Sequence, residues 1–254
     1  MTNWVPADGL LSSQEIYEKM LFDTIKGMNI CGSEYPNENG ERNAAEYVSK
    51  KICDDAVIFD CGANVGIWSI MAREVFGEKR KIYAFEPNSK TYEVLLENVQ
   101  GKGIIPVRCA VSSKEGTEPI FSNGDLSGLT SLYHRRLNHF GIDMNFIGTV
   151  QTITIDEYCR NESIKTIDFL KLDIEGHEYN ALSGASNMFG EIRFIQFEFG
   201  GCNIDSRTYF QDFWYLLKNK YKIYRIVKDG LFEIKEYKEY YELFMMTNFL
   251  CELK

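Results

Sequence analysis

The chain has 254 residues, of which 44% are hydrophobic and 26% are charged, so it can bury a sizeable core and shows no sign of disorder. Its formal net charge is −9, whereas a protein that binds the phosphate backbone of nucleic acid needs a basic face. The composition therefore predicts one α/β domain with accessory segments and argues against nucleic acid as a partner.

The first residues and the cysteines indicate a cytoplasmic protein. Met1–Gly9 has neither the basic head nor the apolar core of a signal peptide, and no apolar run reaches transmembrane length. The seven cysteines are scattered, without a Cys-x-x-Cys pair, which argues against a disulfide framework and against a zinc site. They are Cys31, Cys53, Cys61, Cys109, Cys159, Cys202 and Cys251.

Two helices are predicted before the first strand. Ser12–Glu15 has the pattern of a capping box, and the helix it opens has one apolar face. A second helix is predicted from about Glu41 to Ile52, and the polar loop Cys31–Gly40 between them could lie over a bound cofactor. We therefore assign residues 1–54 to an N-terminal helical cap segment. The apolar face comprises Ile16, Met20, Leu21 and Ile25.

Residues 57–66 predict a buried strand that turns tightly into a helix. The apolar run ends on Asp60 and is followed by Gly62 and Gly66, so a small ligand can approach bare backbone there. A second apolar run ends on Glu86, at the spacing from which a carboxylate can bind a ribose diol. Two acids and a glycine turn indicate a nucleoside ligand.

The charge of this turn favours S-adenosylmethionine over a dinucleotide. Ala63 and Asn64 fill the space that a dinucleotide fingerprint leaves to a glycine, and Asp60 would repel a pyrophosphate. S-adenosylmethionine has no phosphate, and an acid attracts its ammonium and sulfonium groups. The alternative is an ordinary α/β turn, because Gly-x-x-x-Gly alone is a weak signal.

Strand-like and helical runs alternate from residue 57 onward, which predicts right-handed crossovers and a mostly parallel sheet covered by helices on both faces. The strand-like runs are 57–60, 81–86, 104–109, 167–173 and 192–199, and the helical runs are 65–76, 88–100 and 177–188. Ligands bind at the carboxyl ends of strands in such sheets. Asp60, Glu86, Asp173 and Glu198 fall at these ends.

Residues 122–148 interrupt this alternation and predict a long inserted loop, a kind of segment that is often functional. Its cluster of His134, Arg135, Arg136 and His139 could bind an anionic group such as a diphosphate. A solvated basic surface turn is the alternative.

The segment Ile167–Glu178 is a strand running into a glycine-broken turn with three acids and a histidine. Together with Asp60–Gly66, Phe85–Asn88 and Thr154–Cys159, it resembles the FkbM family of S-adenosylmethionine-dependent methyltransferases. The motifs extend from about residue 39 to residue 185. The run Leu170–Glu178 is quite specific to that family, whereas many class I methyltransferases share Asp-x-Gly-x-x-x-Gly.

The resemblance implies a single class I, Rossmann-like methyltransferase domain over residues 55–254, with a mostly parallel sheet and an antiparallel C-terminal strand. Its implied cofactor contacts run from the methionine end to the adenine. The methionine end would be lined by Asp60, Gly62 and Asn64, and the methyl group would lie near Asp173. Glu86 would bind the ribose, and Ala110 would border the adenine. Glu41 is a weaker candidate for a cofactor contact.

The implied reaction is methyl transfer to a sugar hydroxyl, which needs alignment of the acceptor oxygen and a base. Asp173 is our first choice for that base, with Glu175, His177 and Glu198 as the other candidates. A carboxylate needs a raised pKa for this role, whereas histidine titrates near neutrality without help. The alternative for His177 is a helix-start residue that bonds nearby backbone. The same four residues could hold Mg²⁺ or Mn²⁺, although we favour a metal-free site.

Polar residues after the Glu198 strand are placed to meet the acceptor: Asn203, Asp205, Arg207 and Tyr209. Arg207 and the basic cluster of the insertion could anchor the phosphates of a nucleotide-activated sugar. We therefore expect an O-methyltransferase for such a sugar or for a surface-polysaccharide precursor. The alternatives are a methyltransferase for another small metabolite or natural product, a noncatalytic nucleotide-binding subunit, and, least favoured, a nicotinamide-dependent oxidoreductase. A homo-oligomer is left open.

The C-terminal residues predict antiparallel strands. Residues 222–234 alternate about Asp229 and Gly230 and indicate a hairpin. The run Glu242–Leu250 predicts the final strand.

Overall fold

The computed structural model describes residues 8–33 and 35–254, so most of the segment Met1–Gly9 lies outside the described residues. The described part is an α/β fold in which helices and strands alternate. Its α-helices are α1 (Gln14–Gly27), α2 (Glu41–Ser49), α3 (Ile67–Phe76), α4 (Ser89–Val99), α5 (Ile155–Asn161), α6 (Glu178–Ser183), α7 (Cys202–Ser206) and α8 (Phe210–Leu217).

The strands form one large sheet and one small sheet. They are β1 (Val57–Cys61), β2 (Lys81–Phe85), β3 (Ile104–Val107), β4 (Ala110–Val111), β5 (Gly116–Ser122), β6 (Asn145–Ile153), β7 (Ile167–Leu172), β8 (Ile192–Phe199), β9 (Tyr221–Val227), β10 (Gly230–Ile234) and β11 (Thr247–Leu253). The large sheet has the order β10-β9-β11-β8-β7-β1-β2-β3, and the small one has the order β4-β6-β5.

The direction in which the chain adds strands to the large sheet reverses beside β1. The chain proceeds from β1 outward through β2 and β3, then returns to the other side of β1 and continues through β7 and β8, all in parallel pairs. Strand β11 pairs antiparallel with β8 and with β9. A crevice therefore opens at the carboxyl ends of β1 and β7, where open α/β sheets bind ligands.

The two faces of the large sheet bury alternate residues of each central strand. In β1 and β7, Phe59 and Leu170 face one apolar cluster, and Ile58 and Phe169 face the other. Helices α5, α6 and α8 pack on the first face, and α2, α3 and α4 pack on the second. Each such buried side chain contributes about 1.5–3 kcal/mol of transfer free energy, so the sheet is a rigid base for the loops that follow its strands.

The structure confirms the mostly parallel sheet and its antiparallel C-terminal strand, and it corrects three details. Ser12 lies inside a 3₁₀ turn (Leu11–Ser13), and Ser13, the N-cap residue of α1, makes no side-chain cap, so the capping box is wrong. The final strand begins at Thr247 instead of Glu242. The inserted loop is only 123–144, because its flanks form β5 and β6. The half-exposed residues of these two strands gave no apolar run that the sequence analysis could detect.

All seven cysteines lie in the described part of the chain, where they are free thiols. Among the described residues, no helix is both long enough and apolar enough to cross a bilayer.

Candidate cofactor-binding and catalytic site

A cleft opens where β1, β2 and β7 end. The turns after these strands form one side of it, and the inserted loop 123–144 forms the other. Seven residues expected at the site line this cleft: Gly62, Asn64, Glu86, Ala110, Asp173, Glu175 and His177.

Gly62 lets the turn after β1 touch the turn after β7. Its φ is +83°, and a Cβ atom placed there would lie 1.8 Å from the carbonyl oxygen of Asp173. The Asp173 N–H donates to the carbonyl oxygen of Cys61 at 3.0 Å, which holds the two turns together. Any residue other than glycine would force these turns apart, so Gly62 fixes Asp173 beside the cleft.

Asn64 and Glu86 form a polar wall of the cleft. The Asn64 N–H donates to Glu86 at 3.1 Å, the Asn88 N–H donates to the same carboxylate at 2.8 Å, and Glu86 is only 7% exposed. Burial raises the pKa of Glu86 to about 7. The buried Oδ1 of Asn64 has no hydrogen-bond partner in the described structure, and an ammonium or hydroxyl group of a bound nucleoside would supply one.

Asp60 does not line the cleft, although it was expected to contact the cofactor. It is fully buried and accepts hydrogen bonds from Ser69 Oγ at 2.6 Å and from Lys171 Nζ at 3.2 Å. Lys171 Nζ also lies 3.2 Å from Asp173 Oδ2. Asp60 therefore holds a buried cation, which in turn binds the carboxylate at the cleft.

Lys171 is a functional candidate that the sequence analysis missed. It is 3% exposed in the all-buried strand β7. Burial alone would lower its pKa, but the carboxylates of Asp173, Asp60 and Glu41 outweigh burial and raise it, so Lys171 stays charged. A lone lysine within an apolar strand was the available signal, since an unpaired buried charge is costly.

Glu41 lies at the start of α2, 5% exposed and outside the cleft lining. It accepts hydrogen bonds from Asn39 Nδ2 at 2.9 Å and from Gln196 Nε2. Burial raises the pKa of Glu41, and the charge of Lys171 opposes that rise. Glu41 thus belongs to the electrostatic surroundings of Lys171.

Three acids meet at the edge of the cleft. Carboxylate oxygens of Asp173, Glu175 and Glu198 lie within 4.8 Å of one another. Asp173 pairs with Lys171, and Glu175 pairs with Arg135. Burial, followed by the charges of Asp173 and Glu175, raises the pKa of Glu198 well above its ordinary value. A raised pKa makes this carboxylate a stronger base than an ordinary glutamate.

These three acids offer the oxygen ligands that Mg²⁺ and Mn²⁺ prefer. His177, the fourth expected ligand, instead contacts two hydroxyl groups. The structure therefore narrows the candidate cation ligands to Asp173, Glu175 and Glu198, and a metal-free site stays a prediction.

Glu178 is a second functional candidate that the sequence analysis missed. Its Oε1 accepts hydrogen bonds from the N–H groups of Ile174, at 2.9 Å, and Gly176, at 3.2 Å. The turn that it holds has positive φ at Glu175 and at Gly176. Burial raises the pKa of Glu178 to about 7. Glu178 therefore stabilises a strained turn that presents Asp173 and Glu175.

His177 links the turn after β7 to the inserted loop. Its Nε2 lies 2.9 Å from Ser112 Oγ, and its Nδ1 lies 3.0 Å from the Tyr133 hydroxyl. Burial lowers the pKa of His177 to about 4, so the ring is neutral at physiological pH. Both nitrogens already have partners, and neither partner is a backbone group.

The inserted loop covers the cleft and is attached to the acid cluster. Ser131 Oγ donates to the carbonyl oxygen of Glu175 at 2.8 Å, and the Arg135 guanidinium pairs with the Glu175 carboxylate. Ser127, Gly128 and Thr130 line the cleft from this side. The insertion therefore forms part of the site.

The expected acceptor-binding residues separate into buried and exposed groups. Arg135 is 8% exposed and engaged by Glu175, and Asn203 is fully buried with its amide bonded to the Gly200 N–H and to Thr208. His134, Arg136 and Arg207 are exposed.

Two of the exposed basic residues, Arg136 and Arg207, lie on segments that contact each other. The Arg136 N–H donates to Asp205 at 3.3 Å, two residues before Arg207. This contact joins the inserted loop to the segment after β8. We call these two exposed arginines the basic rim, since guanidinium groups are side chains that could meet an anionic acceptor.

The sequence matches known proteins over its central part. The family model described as Methyltransferase FkbM domain matches residues 60–224. Hexuronic acid methyltransferase AglP of Haloferax volcanii is 28% identical over 163 residues, 61% of this chain and 61% of that protein. Methyltransferase sdnD of Sordaria araneosa is 28% identical over 162 residues, 53% of this chain and 62% of that protein.

A third relative is 2-O-methyltransferase NoeI of Sinorhizobium fredii, which is 26% identical over 156 residues, 57% of this chain and 63% of that protein. The chain thus spans about six tenths of the length of the curated relatives it matches. The matched residues 60–224 include the turns after β1, β2 and β7, which form the cleft.

Proposed function

The chain belongs to the FkbM methyltransferase family, and we propose that it is an S-adenosylmethionine-dependent O-methyltransferase acting on a sugar hydroxyl. The observation that carries this proposal is the cleft at the ends of β1, β2 and β7, where a partly unsatisfied polar wall faces a cluster of acids. Excess negative charge favours a cationic cofactor and disfavours a dinucleotide.

The residues of the polar wall fit S-adenosylmethionine. Glu86 can accept hydrogen bonds from the ribose hydroxyls, and the unsatisfied Oδ1 of Asn64 can accept one from the ammonium group. The small side chain of Ala110 borders the cleft and leaves room for the adenine. When bound, the cofactor supplies an electrophilic methyl group carried by a sulfonium.

Glu198 is the base that we propose, in preference to Asp173. Asp173 Oδ2 is already engaged by the Lys171 ammonium, and His177 is neutral with both ring nitrogens occupied. Burial and neighbouring acids raise the pKa of Glu198, so its carboxylate would hold the proton that the acceptor hydroxyl gives up. The cofactor would supply the methyl group, whose bond to sulfur would break and leave a neutral thioether. Asp173, held by Lys171, would stabilise the positive charge of the sulfonium.

A sugar acceptor is supported by the chemistry of the relatives and by the rim of the site. AglP is described as a hexuronic acid methyltransferase and NoeI as a 2-O-methyltransferase. The exposed side chains of Arg136 and Arg207 could bind a carboxylate or the phosphates of an activated sugar. We therefore propose an acidic or nucleotide-linked sugar, or a polysaccharide precursor that contains one.

Calorimetric titration with S-adenosylmethionine and, separately, with NAD tests the cofactor. We expect binding of the former, weakened by Glu86→Gln and by Asn64→Ala, and no binding of NAD. Leu96→Ala, on the exposed face of α4, is the control that should change nothing. Binding of NAD alone, or of neither ligand, would contradict the proposal.

Methyl transfer is then measured with uronic acids and nucleotide sugars as acceptors. We expect Glu198→Gln to lower kcat by about 10²- to 10⁴-fold while the dissociation constant of S-adenosylmethionine stays unchanged. Glu175→Gln is the comparison variant: it removes a neighbouring acid that is paired with Arg135, and it should lower kcat by less than Glu198→Gln does. Equal losses of kcat in the two variants would remove Glu198 from the role of base.

A further inference from the structure

Asn248 lies directly opposite the proposed base across two paired strands. In the antiparallel register of β8 and β11, Asn248 pairs with Glu198. Residues opposite one another in such a pair point their side chains to the same face of the sheet, with Cβ atoms about 4.5–5.5 Å apart. Both residues are half-buried. The amide of Asn248 therefore lies beside the carboxylate of Glu198, at a position that the sequence analysis did not select.

Glu198 and Asn248 share the face of the sheet on which α2, α3 and α4 pack. Side chains alternate along a strand, and Leu250, two residues after Asn248, belongs to the apolar cluster on that face. Gln196, two residues before Glu198, donates from Nε2 to Glu41 at the start of α2. Helix α2 therefore reaches the sheet one row before Glu198 and Asn248, and both of these side chains stay partly accessible.

The order of the strands places Asn248 on the side of Glu198 that is remote from the cofactor cleft. Strands β7, β8 and β11 are neighbours in that order. Asp173, which follows β7, lines the cleft, and its carboxylate lies within 4.8 Å of that of Glu198. Asn248 lies one strand further on. An acceptor whose reacting hydroxyl lies between the cleft and Glu198 therefore extends over β8 and β11, where Asn248 is placed to meet it.

The polar atoms of both side chains are available to a ligand. Within the described part of the chain, the Asn248 amide makes no hydrogen bond, and the Glu198 carboxylate makes neither a hydrogen bond nor an ion pair. A carboxylate only accepts hydrogen bonds, whereas a primary amide both donates and accepts them, as a hydroxyl group does. The pair can therefore bind two hydroxyl groups that lie side by side.

We propose that Asn248 binds the hydroxyl next to the one that is methylated, so that Glu198 and Asn248 together recognise a vicinal diol. This inference rests on the proposed function and narrows its substrate class to sugars with a free hydroxyl beside the reacting one. Glu198 accepts a hydrogen bond from the reacting hydroxyl, and the amide exchanges hydrogen bonds with its neighbour. Two points of attachment fix the orientation of the sugar ring toward the methyl group.

The test measures sugar binding, which needs no turnover. The probes are methyl glucuronide and its three monodeoxy analogues, each of which lacks one ring hydroxyl. They are titrated by nuclear magnetic resonance into the full chain saturated with S-adenosylhomocysteine. We expect Asn248→Ala to weaken binding of the parent sugar about tenfold and to leave binding of one deoxy analogue unchanged, because that analogue lacks the hydroxyl that Asn248 binds. This comparison is a cycle that isolates one contact.

Two further variants separate the contact from a general effect on the fold. Asn248→Ser keeps a hydroxyl group that donates and accepts, and it should lose less affinity for the parent sugar than Asn248→Ala does. Asn161→Ala, at the exposed end of α5, makes the same change far from the site and should alter nothing. Each variant should bind S-adenosylmethionine as the wild type does, because Asn248 does not line the cofactor cleft.

The outcomes distinguish this inference from the proposed function. If Asn248→Ala binds the parent sugar as tightly as the wild type, or loses affinity equally for all four sugars, the contact with a neighbouring hydroxyl is wrong and the proposed methylation of sugars is unaffected. If the wild type binds none of the four sugars, the proposed acceptor class is contradicted, and the vicinal diol with it.

Discussion

The polar wall of the cleft and the acid cluster at its edge are built in different ways. Gly62, Asn64 and Glu86 of the wall lie close together in the sequence, and the polar partners of Glu86 are backbone N–H groups. In the acid cluster, Asp173 and Glu175 depend on the side chains of Lys171 and Arg135, and Lys171 depends on Asp60, more than a hundred residues earlier. A local turn thus specifies the wall, whereas tertiary contacts specify the cluster.

The polar wall and the acid cluster also differ in how their buried charges are stabilised. The wall has one buried carboxylate, Glu86, which accepts hydrogen bonds from the backbone N–H groups of Asn64 and Asn88. The acid cluster combines Asp173, Glu175 and Glu198 with the two cations Lys171 and Arg135. We expect the wall to control cofactor affinity and the cluster to control both stability and the rate of the chemical step.

Gly62→Ala should have the largest effect, because it breaks the contact that joins the two regions. The new Cβ would lie 1.8 Å from the Asp173 carbonyl oxygen, on backbone with φ +83°. We expect a loss of more than about 4 kcal/mol in the free energy of unfolding, measured by urea denaturation. Gly141→Ala is the control, since its φ is +69° but nothing lies within 4 Å, and it should cost about 1–2 kcal/mol. If Gly62→Ala and Gly141→Ala lose similar amounts of unfolding free energy, backbone strain alone explains the effect at Gly62, and the contact with Asp173 contributes nothing.

The sequence predicted the wall better than the acid cluster. Gly62, Asn64 and Glu86 could be placed because a strand, a glycine turn and the next strand end follow one another at short spacing. Asp60 was recognised but misplaced, since a carboxylate at a strand end gives no sign of whether it faces the ligand or a buried lysine. Lys171 and Glu178 were missed, because their partners are set by the tertiary fold.

The sequence analysis also did not predict the second sheet or the contacts that attach the inserted loop to the acid cluster. Strand β4 has only two residues, and β5 and β6 are largely exposed, so neither apolar runs nor strict alternation marked them. The insertion itself was found from its composition. Its attachment through Ser131 and Arg135 to Glu175 depends on contacts across about 40 residues.

Lys171→Met tests the acid cluster directly. It leaves Asp60 fully buried with the Ser69 hydroxyl as its remaining side-chain partner, so we expect a loss of about 3–5 kcal/mol in unfolding free energy. Adding Asp60→Asn should recover part of the stability but none of the methyl transfer, because Asp173 still lacks its cation. Lys90→Met, which removes an exposed ion pair with Asp125, should change stability by less than about 1 kcal/mol. If Lys171→Met loses no more unfolding free energy than Lys90→Met, the buried ion-pair network around Lys171 is contradicted.

Glu86→Gln should act on the wall and leave the cluster intact. A carboxylate at this position can accept two ribose hydroxyl donors, whereas a glutamine oxygen accepts them more weakly. We expect S-adenosylmethionine to bind about tenfold more weakly at pH 8, measured by calorimetry, with kcat at saturating cofactor unchanged. A fall in kcat with unchanged affinity would place Glu86 in the chemical step instead.

The pH dependence of stability sharpens the assignment of Glu86. Its pKa is raised from 4.5 to about 7 by burial, so its contribution to stability is full below pH 4.5 and is lost as pH rises through about 7. The raised pKa corresponds to roughly 3 kcal/mol between those limits. Chemical denaturation should show Glu86→Gln gaining stability relative to the wild type between pH 4.5 and pH 8. Parallel curves would mean that Glu86 is ionised throughout.

The exposed basic rim should give the smallest effect, because Arg136 and Arg207 are screened by solvent. Each substitution by alanine should raise KM for a uronic acid or nucleotide sugar by about two- to fivefold, with kcat and cofactor affinity unchanged. Added salt should reduce the difference from the wild type, and neutral sugars should show none. If neutral and anionic acceptors are affected equally, the arginines contribute shape rather than charge, and the anionic acceptor class is wrong.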